Sequence, residues 1–559
     1  MPAEHFDAIV VGSGITGGLA AKELTERGLR TLVLERGRNV THGVDYPNAT
    51  TPPWKVPHRG MATRELIAEY PVLRRARLAY EPNASFWANE HDCPYVETKP
   101  FDWLRGYQVG GRSLTWGRHC YRWSDTDFEA NAIEGVGVDW PIRYRDIAPW
   151  YDHVERFIGV SGSAEGLPHL PDGQFLPPME LNVVEKDVAA RIRQRWNDRR
   201  LIIGRIANLT QQHNGRGPCQ YRDKCWLGCP YGAYYSTQSA SLPAAAATGK
   251  LTLRPFSIVR ELRYDRDRKR ATGVSVLDAE TKQQIDYTAN VVFLCASTFN
   301  SAWILMNSAT DVWPDGLGSS SGELGHNVVD HHFRAGASGR VDGFEDRYTY
   351  GRRPCGFYVP RFRNLGAERR DYVRGFAYQG SASRQEWTRD VAELGIGAPL
   401  KAELTEPGPW TIGMTGFGET LPYHDNRVTL DRTRQDKWGL PVLAFDCRIR
   451  DNERRMRQDM MHDAAEMLEA AGVTHVVPLD RGYRFGQTIH EMGGARMGHD
   501  PKSSVLNAHN QVWDAPNVFV TDGACMASSA CVNPSLTYMA LTARAVDFAA
   551  GELRKGSLA

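Results

Sequence analysis

FDAIVVGSGITGGLAAKELTERGLRTLVLERG, residues 6–37, divides into three elements. FDAIVVG (6–12) is a short apolar run with β-branched residues and reads as a buried strand. GITGGLAAKELTERG (14–28) is rich in helix formers and stops at a glycine, so it reads as a helix. RTLVLERG (30–37) is the next strand. Strand, glycine turn, helix and strand make a βαβ unit, which builds parallel sheets. Between the first strand and the helix, Gly12-Ser13-Gly14-Ile15-Thr16-Gly17 fits G-x-G-x-x-G. The first glycine permits the tight turn, the second lets backbone approach a pyrophosphate, and the third lets the helix pack on the strand. Glu35 ends the second strand, where an acid accepts hydrogen bonds from a ribose. The spacing indicates a dinucleotide and does not choose FAD over NAD.

The rest of the chain sets bounds on this reading. At 559 residues it has room for roughly three or four units. Lys+Arg is 67 and Asp+Glu is 66, a net charge of +1, which argues against a nucleic-acid partner. Mean hydropathy is −0.46 and no apolar run approaches the length needed to span a bilayer. The N-terminus MPAEHFDAIVVGSG lacks a basic segment followed by an apolar stretch and a cleavage site, so no signal peptide is expected. Ten cysteines are too sparse for a disulfide scaffold.

Residues 38–100 are irregular and rich in Pro, Asn and aromatics, as expected of long loops over a surface or cofactor. Helices are expected within 139–160, at 184–196, at 453–472 and at 535–554, and buried strands at NVVFLCAS (290–297) and NVFVTDG (517–523). Alternating segments between about 335 and 450, such as FYVPRF and RVTLD, suggest an antiparallel sheet in a second domain. The expected fold is α/β: a Rossmann-like parallel-sheet domain and an α+β substrate domain on an antiparallel sheet. The expected boundaries are 1–165 and 208–334 for the nucleotide-binding domain, with its C-terminal part at 485–559, a helical insertion at 166–207 and a substrate domain at 335–484.

From His490 the chain reads HEMGGARMGHDPKSSVLNAHNQVWDAPNVFVTDGACMASSACVNPSLTYMALTARAVD. This resembles the C-terminal signature of the glucose–methanol–choline (GMC) flavoenzyme family. QVGGRSLTWG (108–117) resembles that family's flavin-contacting loop, and CASTFNSAWILMNS (295–308) matches more loosely. The resemblance implies an FAD-binding Rossmann-like domain and a catalytic pair, His490 and Asn533. It also implies cofactor contacts from Gly110, Gly111, Ser113, Thr115, Trp116 and Gly117, from Asp522 and Gly523, and from Pro534 and Ser535 at a helix start. Some sugar oxidases of the family attach flavin covalently through a histidine where this chain has Thr115, so non-covalent FAD is expected. The chemistry agrees: alcohol oxidation needs a base with a pKa near working pH, and histidine is that group. A neighbouring amide donor steadies the developing alkoxide. The short DHHF segment gives His331 and His332 little support, and they read as non-catalytic.

GPCQYRDKCWLGCPYGAYY (217–235) spaces Cys219, Cys225 and Cys229 as C-x5-C-x3-C, the last followed by proline. Buried thiols, one disulfide with a spare thiol, and zinc with a fourth ligand such as His213 are the competing readings. The loop is similar to that of GMC dehydrogenases holding a [3Fe-4S] cluster with three cysteines. The similarity implies a dehydrogenase that passes electrons singly to a partner. It also implies a small companion subunit and a c-type cytochrome acceptor, with location either periplasmic by co-export or cytoplasmic. The layout, including the WGRHCYRW segment (116–123), is most similar to glucoside 3-dehydrogenases. This implies oxidation of a glucoside at C3. The alternatives are C1 of glucose, a fructose or gluconate-type substrate, or an oxygen-using sugar oxidase.

Overall fold

The computed structural model describes residues 4–558 except Arg77, Ala79, 348–352, 385–395 and Glu406. The opening stretch forms the expected unit: strand Glu4–Val11, helix Ile15–Glu26 and strand Thr31–Leu34. Around it the sheet grows in the order Gln511–Val512, Ala515–Val520, Gln284–Leu294, Glu4–Val11, Thr31–Leu34, Leu251–Arg254. The last five of these run parallel. Val11 lies opposite Leu34 and Leu294, and Leu294 opposite Val520, so the strands end together at their carboxyl edge. Both faces of the central strand are covered, which is why FDAIVV shows no polar alternation: Ala8, Ile9 and Val10 are fully buried. Strands Ser257–Asp265 and Arg270–Asp278 add an antiparallel meander beside Gln284–Leu294.

A second sheet is antiparallel throughout, in the order Thr474–Asp480, His331–Val341, Trp410–Glu419, Phe376–Arg384, Phe357–Val359, Ile202–Ile203. Its strands alternate, apolar toward one side and polar toward the other. Helix Asp451–Ala470 covers the apolar side through Met456, Met460, Ala464, Met467 and Leu468. Gly416 has no side chain because Met460 occupies its place; a Cβ there would lie 2.7 Å from Met460 Cγ. Met460 is fully buried, and Met460→Ala is expected to lower stability by about 2–5 kcal/mol in urea unfolding.

The strand containing RVTLD, Arg427–Gln435, departs from expectation. It pairs with Pro441–Asp446 and, through it, Val96–Glu97, in a separate three-stranded sheet. Its residues beyond Leu430 are largely exposed, so one alternating strand matches either sheet by pattern alone. Among the described residues no helix is long and apolar enough to cross a membrane.

Candidate active site

A cavity of about 2450 Å³ opens at the carboxyl edge of the parallel sheet and runs beneath the polar side of the antiparallel one. Small-ligand pockets reach about 1,000 Å³, so this one has room for a dinucleotide and a substrate together. Its walls include Val11, Gly12, Gly14, Leu34 and Glu35 at one end, and Gln379, Phe417, His490 and Asn533 at the other.

The three glycines of the turn have three different surroundings. Gly12 has φ +92°, and a Cβ on it would stand 2.5 Å from Cys295 O. Gly14 would meet nothing within 4 Å, so its missing side chain leaves open cavity. Gly17 lies outside the wall, where a Cβ would drive into Gly12 O. Helix Ile15–Glu26 has Gly14 at its N-cap with no side-chain cap, which leaves its first N–H groups free for a phosphate. Glu35 is buried and accepts from Ser13 N (3.1 Å), Ser13 Oγ (2.5 Å) and Gly37 N (3.1 Å); burial raises its pKa.

The 108–117 loop lies directly on this turn. A Cβ on Gly111 would sit 3.4 Å from Gly14 Cα, and Gly110 N donates to Ser13 Oγ at 2.9 Å. Gly110 is set back behind the wall, against the Gln238 amide. Ser113, Thr115, Trp116 and Gly117 line the cavity, with Ser113 Oγ donating to Gly110 O (2.6 Å) and Trp116 Nε1 to Tyr235 O (2.9 Å). Asp522 follows the last parallel strand; it accepts from Ser301 Oγ (2.5 Å) and Ala524 N (3.0 Å), and burial pushes its pKa up to about 6. Gly523, Pro534 and Ser535 complete this wall, where helix Ser535–Arg554 begins without a side-chain cap. Two uncapped helix starts, an open glycine and a buried acid fit a flavin dinucleotide.

His490 and Asn533, 43 positions apart, meet with His490 Nε2 3.3 Å from Asn533 Nδ2. Gln379 Nε2 donates to Asn533 Oδ1 at 2.7 Å. Behind His490 stands His331, with the two Nδ1 atoms 2.8 Å apart. Asp330 holds both histidines by their backbones, accepting from His331 N (2.9 Å) and His490 N (3.2 Å). Ile489 is a β-branched residue at φ +63°, a strained conformation of the kind that aims functional groups. His331, read from sequence as non-catalytic, sits against the candidate base. His332 is the next residue on the strand and points the other way, close to where a Cβ on Gly418 would lie. Neither of its ring nitrogens has a hydrogen-bond partner among the described residues. The DHHF pair was the available signal, and strand alternation turns only His331 toward His490.

Burial lowers the pKa of His490 well below the usual histidine value, and His331, Arg112 and His119 push the same way. His490 therefore stays neutral at pH 7 and is a weaker base than the imidazole expected from the sequence. With the folded pKa depressed, the acid limb of kcat/KM is expected well below pH 6.5, with no loss between about pH 6.5 and 8. A pH–rate profile checks this. Arg112 is held by Glu491 Oε2 (2.9 Å) and Ser297 Oγ (2.8 Å).

The cysteine loop forms another part of the same wall. Cys225 lines the cavity with Tyr221, Lys224 and Trp226, while Cys219 and Cys229 lie outside the wall. All three are half-buried free thiols, as are the other seven, which are buried. Burial raises the pKa values of Cys219 and Cys225, and each is raised further by neighbouring thiols of the loop. Tyr221 and Asp223 take left-handed conformations (φ +52° and +54°) between the first two cysteines. His213 is engaged elsewhere, its Nε2 2.8 Å from Arg156 O. Among the described residues no three of His, Cys, Asp and Glu group as ligands around one metal ion.

The chain matches the models of the GMC oxidoreductase family over residues 6–333 and 422–542. It is 27% identical to 2-methyl-1,2-propanediol dehydrogenase from Mycolicibacterium austroafricanum, over 98% of this chain and 95% of that one. It is 25% identical to the fructose dehydrogenase large subunit from Gluconobacter japonicus, over 98% of each. In fold it is similar to formate oxidase from Aspergillus oryzae, with a TM-score of 0.61, 13% identity and 100% of both chains covered.

Proposed function

The chain belongs to the GMC oxidoreductase family, and from that premise we propose that it oxidises a secondary hydroxyl of a sugar or glycoside. It is an FAD-dependent oxidoreductase acting on CH–OH groups. The observation that carries the sugar reading is the single cavity joining the glycine cradle to the His490–Asn533 pair, walled on the substrate side by Gln379, Ser381, Ser383 and Thr411. A polyhydroxyl substrate finds both donors and acceptors there.

The flavin, held by the Gly12–Gly17 turn, the 108–117 loop, Glu35 and the Asp522 wall, supplies a hydride acceptor when bound. The chain supplies the proton chemistry. His490 Nε2 faces the cavity and takes the hydroxyl proton. Asn533 Nδ2, its orientation set by Gln379, donates to the alkoxide oxygen. Arg112, neutralised by buried Glu491, adds no unpaired charge at the site.

C3 of a glucoside is the position we assign. The 116–123 segment that resembles glucoside 3-dehydrogenases supplies Trp116, Gly117, Arg118 and His119 to the cavity wall. We assign a [3Fe-4S] cluster to Cys219, Cys225 and Cys229, beside the flavin site, as the exit for electrons. The relative named as a large subunit supports a small companion subunit, and a c-type cytochrome is the acceptor that the resemblance implies. A companion carrying an export signal would place the enzyme in the periplasm.

An anaerobic visible spectrum, taken before and after methyl α-glucoside, tests the substrate. The glycoside's anomeric carbon is blocked, so bleaching of the flavin bands means oxidation of a free hydroxyl and supports C3. Bleaching by free glucose alone moves the chemistry to C1 and overturns the C3 assignment. Cys225→Ser is expected to lose most of the bound iron and slow acceptor reduction about tenfold, while flavin reduction by substrate is unchanged. Unchanged iron by plasma emission analysis would overturn the cluster.

A further inference from the structure

We propose that His331 is a positioning residue that fixes the tautomer of His490, keeping a proton on His490 Nδ1 and a lone pair on Nε2 toward the cavity. The proposal rests on His490 being the base.

The argument runs in from both sides of His490. His331 is fully buried, and its Nε2 lies 2.8 Å from Ala530 O and 3.2 Å from Ser529 O. Carbonyl oxygens only accept, so His331 Nε2 carries the hydrogen, and in a neutral imidazole Nδ1 is then the acceptor. The contact of 2.8 Å between the two Nδ1 atoms therefore needs the hydrogen on His490 Nδ1. That leaves Nε2 of His490 as a lone pair. From the cavity side, Gln379 donates to Asn533 Oδ1, which turns the Asn533 NH2 toward His490 Nε2. A donor there also requires a lone pair on Nε2. The two chains of hydrogen bonds, one anchored at residues 529–530 and one at Gln379, demand the same tautomer.

The backbone is shaped for this contact. Ala530 is held at φ +52°, where its carbonyl points at His331. Thr488 Oγ1 donates to His331 O, and Asp330 accepts from His331 N, so the ring is held from its own main chain as well. The groups facing the pair are Arg112 and His119 toward His490, His332 behind His331, and the Asp330 carboxylate at the backbones of both. Burial pushes the His331 pKa down to about 4, so its ring is neutral at pH 7. When the hydroxyl proton arrives on His490 Nε2, the imidazolium keeps its Nδ1 hydrogen bonded to the His331 lone pair. No second proton moves. A neutral imidazole thus orients the base, a role a carboxylate fills in other base–orienter pairs.

The experiment compares FAD-loaded wild type, His331→Leu and His331→Gln. Leu removes the acceptor. Gln offers a carbonyl to His490 and an NH2 to the 529–530 carbonyls. One readout is anaerobic flavin reduction by methyl α-glucoside. The other needs no substrate turnover: carbethoxylation of His490 by diethyl pyrocarbonate at pH 7, followed by peptide mass spectrometry, because the reagent adds to an unprotonated ring nitrogen. His331→Leu is expected to slow flavin reduction at least 100-fold with KM within about threefold, and to slow His490 labelling about tenfold. His331→Gln is expected to recover both to within about tenfold of wild type. The proposal is overturned if His331→Leu, with FAD bound and a native melting temperature, labels His490 at the native rate. It is equally overturned if His331→Gln melts like wild type yet behaves as badly as Leu. If methyl α-glucoside fails to reduce the wild-type flavin, the substrate assignment falls, and the labelling comparison still decides the role of His331.

Discussion

His490→Ala is expected to purify with its flavin bound and to lose about 10²–10⁴-fold in kcat. The separation of the two effects follows from the geometry. His490 lies at the substrate end of the cavity, while the dinucleotide cradle is built from residues 12–17, Glu35, the 108–117 loop and the Asp522 wall. Removing the imidazole takes away the group that accepts the hydroxyl proton and leaves every cradle contact in place. Asn533 keeps its bond to Gln379, so the residual rate comes from an alkoxide site with a donor and no base. The measurement is the flavin-to-protein ratio from the visible spectrum beside single-turnover flavin reduction. A protein that arrives without flavin would show instead that His490 holds the fold or the cofactor. Raised pH is expected to recover part of the rate, since hydroxide in solution substitutes in part for the missing base.

Gly17→Val is expected to yield no soluble flavoprotein. A Cβ at this position would overlap Gly12 O and stand 3.2 Å from Cys295 Cβ, between the first helix and the two central strands. Nothing there is a flexible side-chain end that can swing away. The helix would have to lift from the sheet, and the Gly12–Gly17 turn would open with it. Gly14→Ala is the informative partner. Its Cβ would meet no protein atom within 4 Å, so the variant is expected to fold with a melting temperature near that of wild type. The added methyl projects into the space where the phosphates approach, and FAD affinity is expected to fall at least tenfold. Titration of the apoprotein with FAD measures it. Equal behaviour of the two variants would mean that the turn matters only for packing.

The parallel half of the fold was legible because its period is unmistakable: a continuous apolar strand, a glycine turn and a helix within residues 6–37. The final helix was legible for a related reason, since Ser535–Arg554 follows Asn-Pro and keeps its apolar residues inward over its whole length. The pairing of His490 with Asn533 emerged from resemblance and not from spacing. Nothing in a separation of 43 residues says that two side chains meet at 3.3 Å. Gln379 and His331 were illegible. Each lies on a strand of the antiparallel sheet, where neighbours face opposite sides, and only the register of pairing decides which side is the cavity. Register is a long-range property: His331 pairs with Glu419, 88 positions later by subtraction. The RVTLD strand was misplaced for the same reason.

The order of strands in the parallel sheet has a consequence for how the protein is made. The first strand, Glu4–Val11, is flanked by Thr31–Leu34 and by Gln284–Leu294, and beyond the latter lies Ala515–Val520. A chain emerging from the ribosome can form the opening βαβ unit early, but its central strand stays bare on one edge until residue 294 has left the exit tunnel. The strand Ala515–Val520 and the 535–554 helix that covers the sheet arrive later still. Such long-range closure is slow and leaves apolar edges exposed meanwhile. Flavin loading is thereby deferred until Asp522, Asn533 and Ser535 have emerged to complete the cavity wall. A shortage of flavin is accordingly expected to appear as aggregation of chains already extended past residue 535, whose cavity is complete but unfilled.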